Sequence, residues 1–155
     1  KIGAAPALKK ENMTQVLQSS VDYIRTRTSS RVVFSLQNQQ NYDVEAPVNV
    51  PLFEWVLENL FKNAIDAMSG EGSITIRIAD QHQFVYIDVT DTGKGIPKSK
   101  YKTVFKPGYT SKNRGWGLGL SLSKRIVEEY HGGQIFVKNS EPNKGTTFRI
   151  VLKKS

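Results

Sequence analysis

Two glycine clusters with a basic stretch between them carry the most specific chemistry in this chain: Asp91-Thr92-Gly93-Lys94-Gly95-Ile96-Pro97, then Gly115-Trp116-Gly117-Leu118-Gly119-Leu120. Glycine admits backbone angles that other residues avoid and lets the backbone come close to a ligand. Backbone N–H groups exposed where a helix opens make an anion site. The clusters therefore point to a ligand that bears phosphate. A second constellation lies upstream. On a helix over 51–68, roughly 100° per residue puts Phe53, Val56, Leu57, Leu60, Phe61, Ala64 and Met68 on one apolar arc. The same rotation leaves Asn59, Asn63 and Asp66 in a narrow polar stripe at its border. Asn is an indifferent helix former, so amides beside a core edge are poor choices for plain solvation. Their carbonyl oxygens suit a hard cation such as Mg²⁺, which takes a few protein oxygens together with phosphates. The plainer alternative is a polar shoulder packed beside another element.

Asp91 continues the face of Val85, Ile87 and Val89, so strand alternation turns it toward the buried side. A buried carboxylate costs free energy unless it is hydrogen-bonded or paired, and the exocyclic amine of a purine would be a suitable donor. Thr146 shares a face with Phe148 and Ile150, so its hydroxyl also points inward. An Asp and a Thr together would complete a small polar network around a base. Read plainly, Asp91 is a turn residue before Gly93 and Thr146 is a β-branched residue at home in a strand. The second glycine cluster is not a Rossmann fingerprint, because no βαβ unit surrounds it, and not a Walker A motif, because no G-K-[ST] occurs.

The elements that must position these residues follow from periodicity and breakers. Residues 1–11 read as a connector. Asn12 caps a helix through about Thr28, with Val16, Leu17, Val21 and Ile24 at helical spacing. Arg31–Gln37 reads as a strand, followed by a polar turn and a short extended piece at Tyr42–Glu45. Pro51 suits the first turn of the next helix, which runs to Met68 and stops at Ser69-Gly70-Glu71-Gly72. Ser73–Ala79 and Gln83–Thr90 alternate as strands. Residues 98–114 read as a long loop with a short helix, and a helix is expected from Gly117 to His131, ended by Gly132-Gly133. Gln134–Lys138 and Thr146–Leu152 form the last strand pair across the turn at 141–145.

The bulk numbers narrow the classes. A chain of 155 residues fits one domain with a real core. No apolar run reaches membrane-spanning length, the start lacks the apolar stretch of a secretory signal, and a cytoplasmic setting is the expectation. With no cysteine, disulfides and thiolate-bound metals are excluded. The net charge of +8 raises nucleic acid as a partner. The local concentration, however, is Lys94, Lys98, Lys100, Lys102, Lys106, Lys112 and Arg114, between the glycine clusters. A small polyphosphate or an acidic partner explains that placement at least as well, and no nucleic-acid partner is expected. Most of these lysines read as solvated loop charges.

Together the motifs resemble the nucleotide-binding boxes of sensor histidine kinases. Asn59-Leu60-Phe61-Lys62-Asn63-Ala64 resembles the N box, and Asp91-Thr92-Gly93-Lys94-Gly95 the G1 box. Phe105-Lys106-Pro107-Gly108-Tyr109-Thr110-Ser111-Lys112 resembles the F box and adjoining ATP lid. Gly115–Leu120 resembles the G2 box, and Lys144-Gly145-Thr146-Thr147-Phe148 the last box. The resemblance covers residues 12–153 and implies the Bergerat fold. That is an α+β, two-layer α/β sandwich with helices on one face of a mixed, mostly antiparallel sheet and a mobile ATP lid. It implies ATP and Mg²⁺ as ligands.

On that pattern Asn63 binds Mg²⁺ with Asn59 in support, and Asp91 accepts from the adenine amine. Gly93, Gly95 and Ile96 pass close to the base, where Thr146 joins the network. Gly115, Gly117, Leu118 and Gly119 line the phosphates. From the lid, Thr110 lies beside the nucleotide, and Arg114, with Lys106 or Lys112, approaches the γ-phosphate. Two departures stand out: an acid at Asp66, where many relatives carry Lys or Arg, and bulky Trp116 among the glycines. The resemblance further implies two partners, a dimerisation domain of the same protein carrying the phosphoacceptor histidine and a response regulator receiver domain downstream. His82 falls in a turn and His131 at a helix end, so neither has the setting of an acceptor. Residues 1–11 are then the expected end of a connector from the acceptor domain, and 12–155 the catalytic domain. The related gyrase, chaperone and mismatch-repair ATPases place a Glu general base where this chain has Asn59, and an amide accepts no proton from water. Glu58, next to it, reads as an i,i+4 partner of Lys62. A nucleotide-sensing module without catalysis and an ATPase of this superfamily are the alternatives.

Overall fold

The computed structural model describes residues 6–109 and 119–154. Strand β1 (Lys9–Asn12) leads into helix α1 (Met13–Arg25), and β2 (Val32–Asn38) and β3 (Glu45–Val48) lead to α2 (Val50–Ala67). Strands β4 (Gly72–Gln81) and β5 (Phe84–Asp91) follow, then two short 3-10 turns at Lys98–Lys100 and Thr103–Phe105. Helix α3 (Gly119–Arg125) passes into a π-helical turn at Ile126–Tyr130, and β6 (Gln134–Glu141) and β7 (Gly145–Lys153) complete the chain.

Asparagine caps both long helices. The Asn12 carboxamide oxygen accepts the Gln15 N–H at 3.2 Å, and that of Asn49 accepts the Leu52 N–H at 3.2 Å, with Pro51 in the first turn. Each cap satisfies one of the four N–H groups a helix start leaves open. The first helix ends at Arg25 rather than near Thr28, because the Thr26 and Thr28 hydroxyls donate to the Tyr23 and Ile24 carbonyls and close the turn early. The second ends where Ser69 and Gly70 take positive φ, 56° and 81°.

The main sheet has five strands in the order β2-β4-β5-β7-β6. The β2–β4 pair is parallel and the rest antiparallel, so the sheet is mixed as expected. Its inner face carries Ile74, Ile76, Ile78, Val85, Ile87, Val89, Ile135, Val137, Phe148, Ile150 and Leu152, all buried. Met13, Leu17, Val21 and Ile24 of α1 and the apolar arc of α2 complete the core beneath it. The outer face is held by charge instead. Arg149 grips Asp88 with two bonds of 2.8 and 2.9 Å and lies 4.5 Å over the Tyr86 ring.

Other features also depart from the sequence reading. Residues 9–12, read within a connector, form a strand antiparallel to Glu45–Val48, and the extended piece expected at 42–45 lies later, at 45–48. The last strands are longer than expected. Gln134–Lys138 extends to Glu141 across a β-bulge between Val137 and Asn139. His131 ties the π-turn to α2: its Nδ1–H donates to the Ile126 carbonyl at 2.9 Å, and its Nε2 accepts the Asn49 N–H at 3.1 Å.

Candidate nucleotide-binding site

A cavity of about 360 Å³ opens between the α2 C-terminal half and the ends of β5 and β7. Asn63, Asp66 and Ala67 line it from α2, Asp91 and Thr146 from the sheet, and Lys94, Gly95, Ile96 and Pro97 from the loop after β5. Val104, Tyr109, Leu120 and Phe148 supply apolar walls, and Phe148 meets Phe105 edge-on with ring centroids 5.9 Å apart. A mostly apolar cavity with a few convergent polar groups is the usual form of a small-molecule site.

Asp91 is 5% exposed. One carboxylate oxygen accepts the Gly93 N–H at 2.8 Å. Burial pushes its carboxyl above the ordinary value, while the backbone N–H groups of Gly93 and Thr146 pull the other way. Asp91 and Thr146 are register partners on β5 and β7 and enter the cavity side by side. Alternation gave the inward facing of each; the pairing of β5 with β7 brings them together.

The glycines of the first cluster have reasons inside the chain. A Cβ on Gly93 would lie 2.6 Å from the Ala67 carbonyl carbon, at the point where the Lys94 N–H donates to the Ala67 oxygen at 3.0 Å. Gly95 has φ +82°, and a Cβ there would lie 2.2 Å from the Glu141 carbonyl oxygen. The loop after β5 is thereby clamped between α2 and the β6–β7 turn, where the Asn143 N–H donates to the Lys94 carbonyl at 2.7 Å. Gly95→Ala combines a left-handed backbone with a backbone clash. It is expected to cost about 2 kcal/mol or more, read as a lowered midpoint in urea unfolding, and nucleotide affinity falls with it.

Asn59 and Asn63 part company. Asn63 lines the cavity. Asn59 is buried, and its amide donates to Ser123 Oγ at 3.1 Å, whose hydroxyl donates to the Gly119 carbonyl at 2.8 Å. A Cβ on Gly119 would lie 2.5 Å from Asn59 Oδ1, so glycine there lets α3 approach α2 closely. Lys106 is exposed and is not among the residues lining the cavity. Thr110, Lys112, Arg114, Gly115, Gly117 and Leu118 lie outside the described residues, as does Trp116. Glu58 faces a different groove, of about 450 Å³, between α1 and α2 with Tyr23, Arg27 and Lys62.

Sequence reading missed Ser140. Its hydroxyl is 2.7 Å from the Ile96 nitrogen, 2.9 Å from the Gly145 carbonyl and 2.8 Å from the Thr146 hydroxyl, and Tyr101 donates to its carbonyl at 3.0 Å. The alternation of Ile135 and Val137 points to Asn139 as the next inward position. The bulge adds Lys138 and brings Ser140 opposite Thr146 instead. Val104 was also missed, since it carries no polar signal.

Among the described residues no helix is long and apolar enough to cross a membrane. The sequence profile described as histidine kinase-, DNA gyrase B- and HSP90-like ATPase matches residues 49–155. The chain is similar to sporulation kinase E of Bacillus subtilis (strain 168), 35% identical over 93% of this chain and 19% of that kinase. It is also similar to the sensor histidine kinase ZraS of Escherichia coli (strain K12), 33% identical over 94% of this chain and 31% of ZraS. The chain thus spans a third or less of the length of these kinases. The catalytic domain of histidine kinase ThkA superposes with a TM-score of 0.84 at 28% identity, covering 95% of each chain. ThkA in complex with the response regulator protein TrrA matches at a TM-score of 0.82 and 25% identity, over 96% of this chain and 42% of that one. The boxes that frame the cavity, the mixed sheet beneath them and these likenesses agree: the chain belongs to the histidine kinase-, DNA gyrase B- and HSP90-like ATPase family, as a catalytic ATP-binding domain of the sensor histidine kinase type.

Proposed function

We propose that this chain binds Mg²⁺-ATP in the 360 Å³ cavity and presents the γ-phosphate to a histidine on a separate dimerisation domain of the same protein. The phosphoryl group passes to an imidazole nitrogen, ADP leaves, and a response regulator receiver domain takes the phosphoryl group in turn. The observation that carries this reading is the convergence on one cavity of Asp91 and Thr146 from the sheet and Asn63 from α2. The first pair suits a base that donates through an exocyclic amine, and Asn63 suits a cation that arrives on phosphate.

Among the described residues no group of three or more His, Cys, Asp or Glu could hold a metal. Mg²⁺ commonly takes one or two protein oxygens and completes its shell with substrate phosphates and water. Asn63 would supply the carboxamide oxygen, with the Asp66 carboxylate close by on the same helix. When bound, Mg²⁺ neutralises charge on the phosphates. The protein's own part is positioning, which governs phosphoryl transfer.

Transfer to a protein acceptor is favoured over hydrolysis by Asn59. Its amide is engaged with Ser123 and takes no proton from water. Both nitrogens of His131 are committed inside the fold, and His82 sits in the β4–β5 turn at φ 63°, so the acceptor is sought on another domain. Labelled ATP is supplied with the dimeric acceptor-helix domain of the same full-length protein. Label on histidine is the expected result. Rapid free phosphate without labelled histidine overturns the reading in favour of an ATPase, and tight nucleotide binding with neither overturns it in favour of a sensing module.

A further inference from the structure

The Ser140 hydroxyl has one hydrogen and three neighbours within hydrogen-bond distance. The Ile96 N–H can only donate to it. The Gly145 carbonyl can only accept from it, which uses its hydrogen. All three contacts are satisfied together only when the Thr146 hydroxyl donates to Ser140 Oγ across their 2.8 Å separation. The Thr146 hydrogen is then turned to its neighbour strand, and the oxygen keeps its free lone pair for the cavity. Next to it stands Asp91, whose ionised carboxylate is also an acceptor only. This part of the wall therefore offers two acceptors and no side-chain donor.

We propose that Ser140 is a positioning residue that fixes Thr146 as a hydrogen-bond acceptor and so makes the cavity select 6-aminopurine over 6-oxopurine nucleotides. The proposal rests on the nucleotide reading of this cavity. A 6-amino group brings donors to both acceptors. A 6-oxopurine brings carbonyl lone pairs there, and its single N1–H cannot serve both acceptors, so a buried acceptor is left unmatched, the situation in which a site discriminates most sharply. Ser140 acts without touching the base. The bulge in β6 is what places it there, since unbroken alternation would have presented Asn139.

The test compares ATP with inosine triphosphate, which has a carbonyl at C6 and a hydrogen on N1 in place of the 6-amino group and bare N1, and shares the sugar and phosphates, by calorimetric titration at one Mg²⁺ concentration. In Ser140→Ala the Thr146 hydroxyl is free to rotate and donate to a 6-oxo group. The ratio of the two dissociation constants is expected to fall about tenfold, the worth of roughly one hydrogen bond. Ser140→Thr, which keeps the hydroxyl, is expected to restore the ratio. In a Thr146→Val background, Ser140→Ala is expected to leave the ratio unchanged. Parallel weakening of both nucleotides, as from a loosened 93–97 loop, overturns the proposal. So does the same fall in ratio with Thr146 already replaced. Should Ser140→Ala not fold, Thr146→Val alone tests the acceptor, and an unchanged ratio there overturns it. Absence of ATP binding by the unaltered protein overturns the nucleotide reading itself and the proposal with it.

Discussion

Asn63→Ala is expected to abolish Mg²⁺-dependent phosphotransfer by the reconstituted kinase while leaving the fold intact. The side chain sits half-buried on the cavity-facing edge of α2, outside the arc that packs the core. Alanine is the better helix former by about 0.5 kcal/mol, so no large loss of stability opposes the reading. Partners that merely orient metal ligands are worth about 10- to 100-fold, so a direct oxygen donor should cost at least about 100-fold. Phosphohistidine formation across a Mg²⁺ titration, alongside thermal unfolding, measures both sides. Undiminished transfer overturns the assignment of Asn63 to the metal.

Asp91→Asn is expected to weaken adenine nucleotides by about 10- to 100-fold, the range of a hydrogen bond to a charged group of roughly 1.5–3 kcal/mol. Inorganic polyphosphate should bind nearly as before, and equal losses for both contradict a base contact. The pH dependence has a definite sign. Burial raises the Asp91 carboxyl above its ordinary value in the ligand-free protein. An amine donor favours the carboxylate, so binding releases a proton, and affinity for ATP falls as pH drops through the raised value. Stability of the free protein runs the opposite way. The contribution of protonated Asp91 is complete below the unfolded value and is lost as pH rises through the folded one. Asp91→Asn flattens both dependences, which titration calorimetry and urea unfolding at several pH values resolve.

Much of the site was legible because it depends on local periodicity. The apolar arc of α2 fixes which of its residues pack, and hence that Asn63 and Asp66 fall at the border of the core. Strand alternation fixes that Asp91 follows Val85, Ile87 and Val89 inward, and that Thr146 precedes Phe148 and Ile150 on the same face. Caps and breakers placed the helices to within a few residues, since Asn12, Pro51 and Gly70 act on their own neighbours.

The rest required partners distant in the chain. Asn59 and Asn63 share one stripe in the sequence, yet Ser123 and Gly119 bury the first while the cavity takes the second. The strand at residues 9–12 carries little apolar signal and exists because Glu45–Val48 offers its edge. Gly93 and Gly95 read as room for a ligand, and the fold also uses them to seat Ala67 and Glu141 against the loop. Ser140 was hidden by a one-residue bulge, which reverses every inward and outward assignment beyond it. The sequence by itself determined the residue types, the faces they share and the family's boxes, because periodicity and turn chemistry act over a few residues. Which amide is packed away, which serine meets Thr146 and which way that hydroxyl points were decided only by tertiary structure. They depend on register and hydrogen-bond inventory between strands and helices that meet only once the chain has folded.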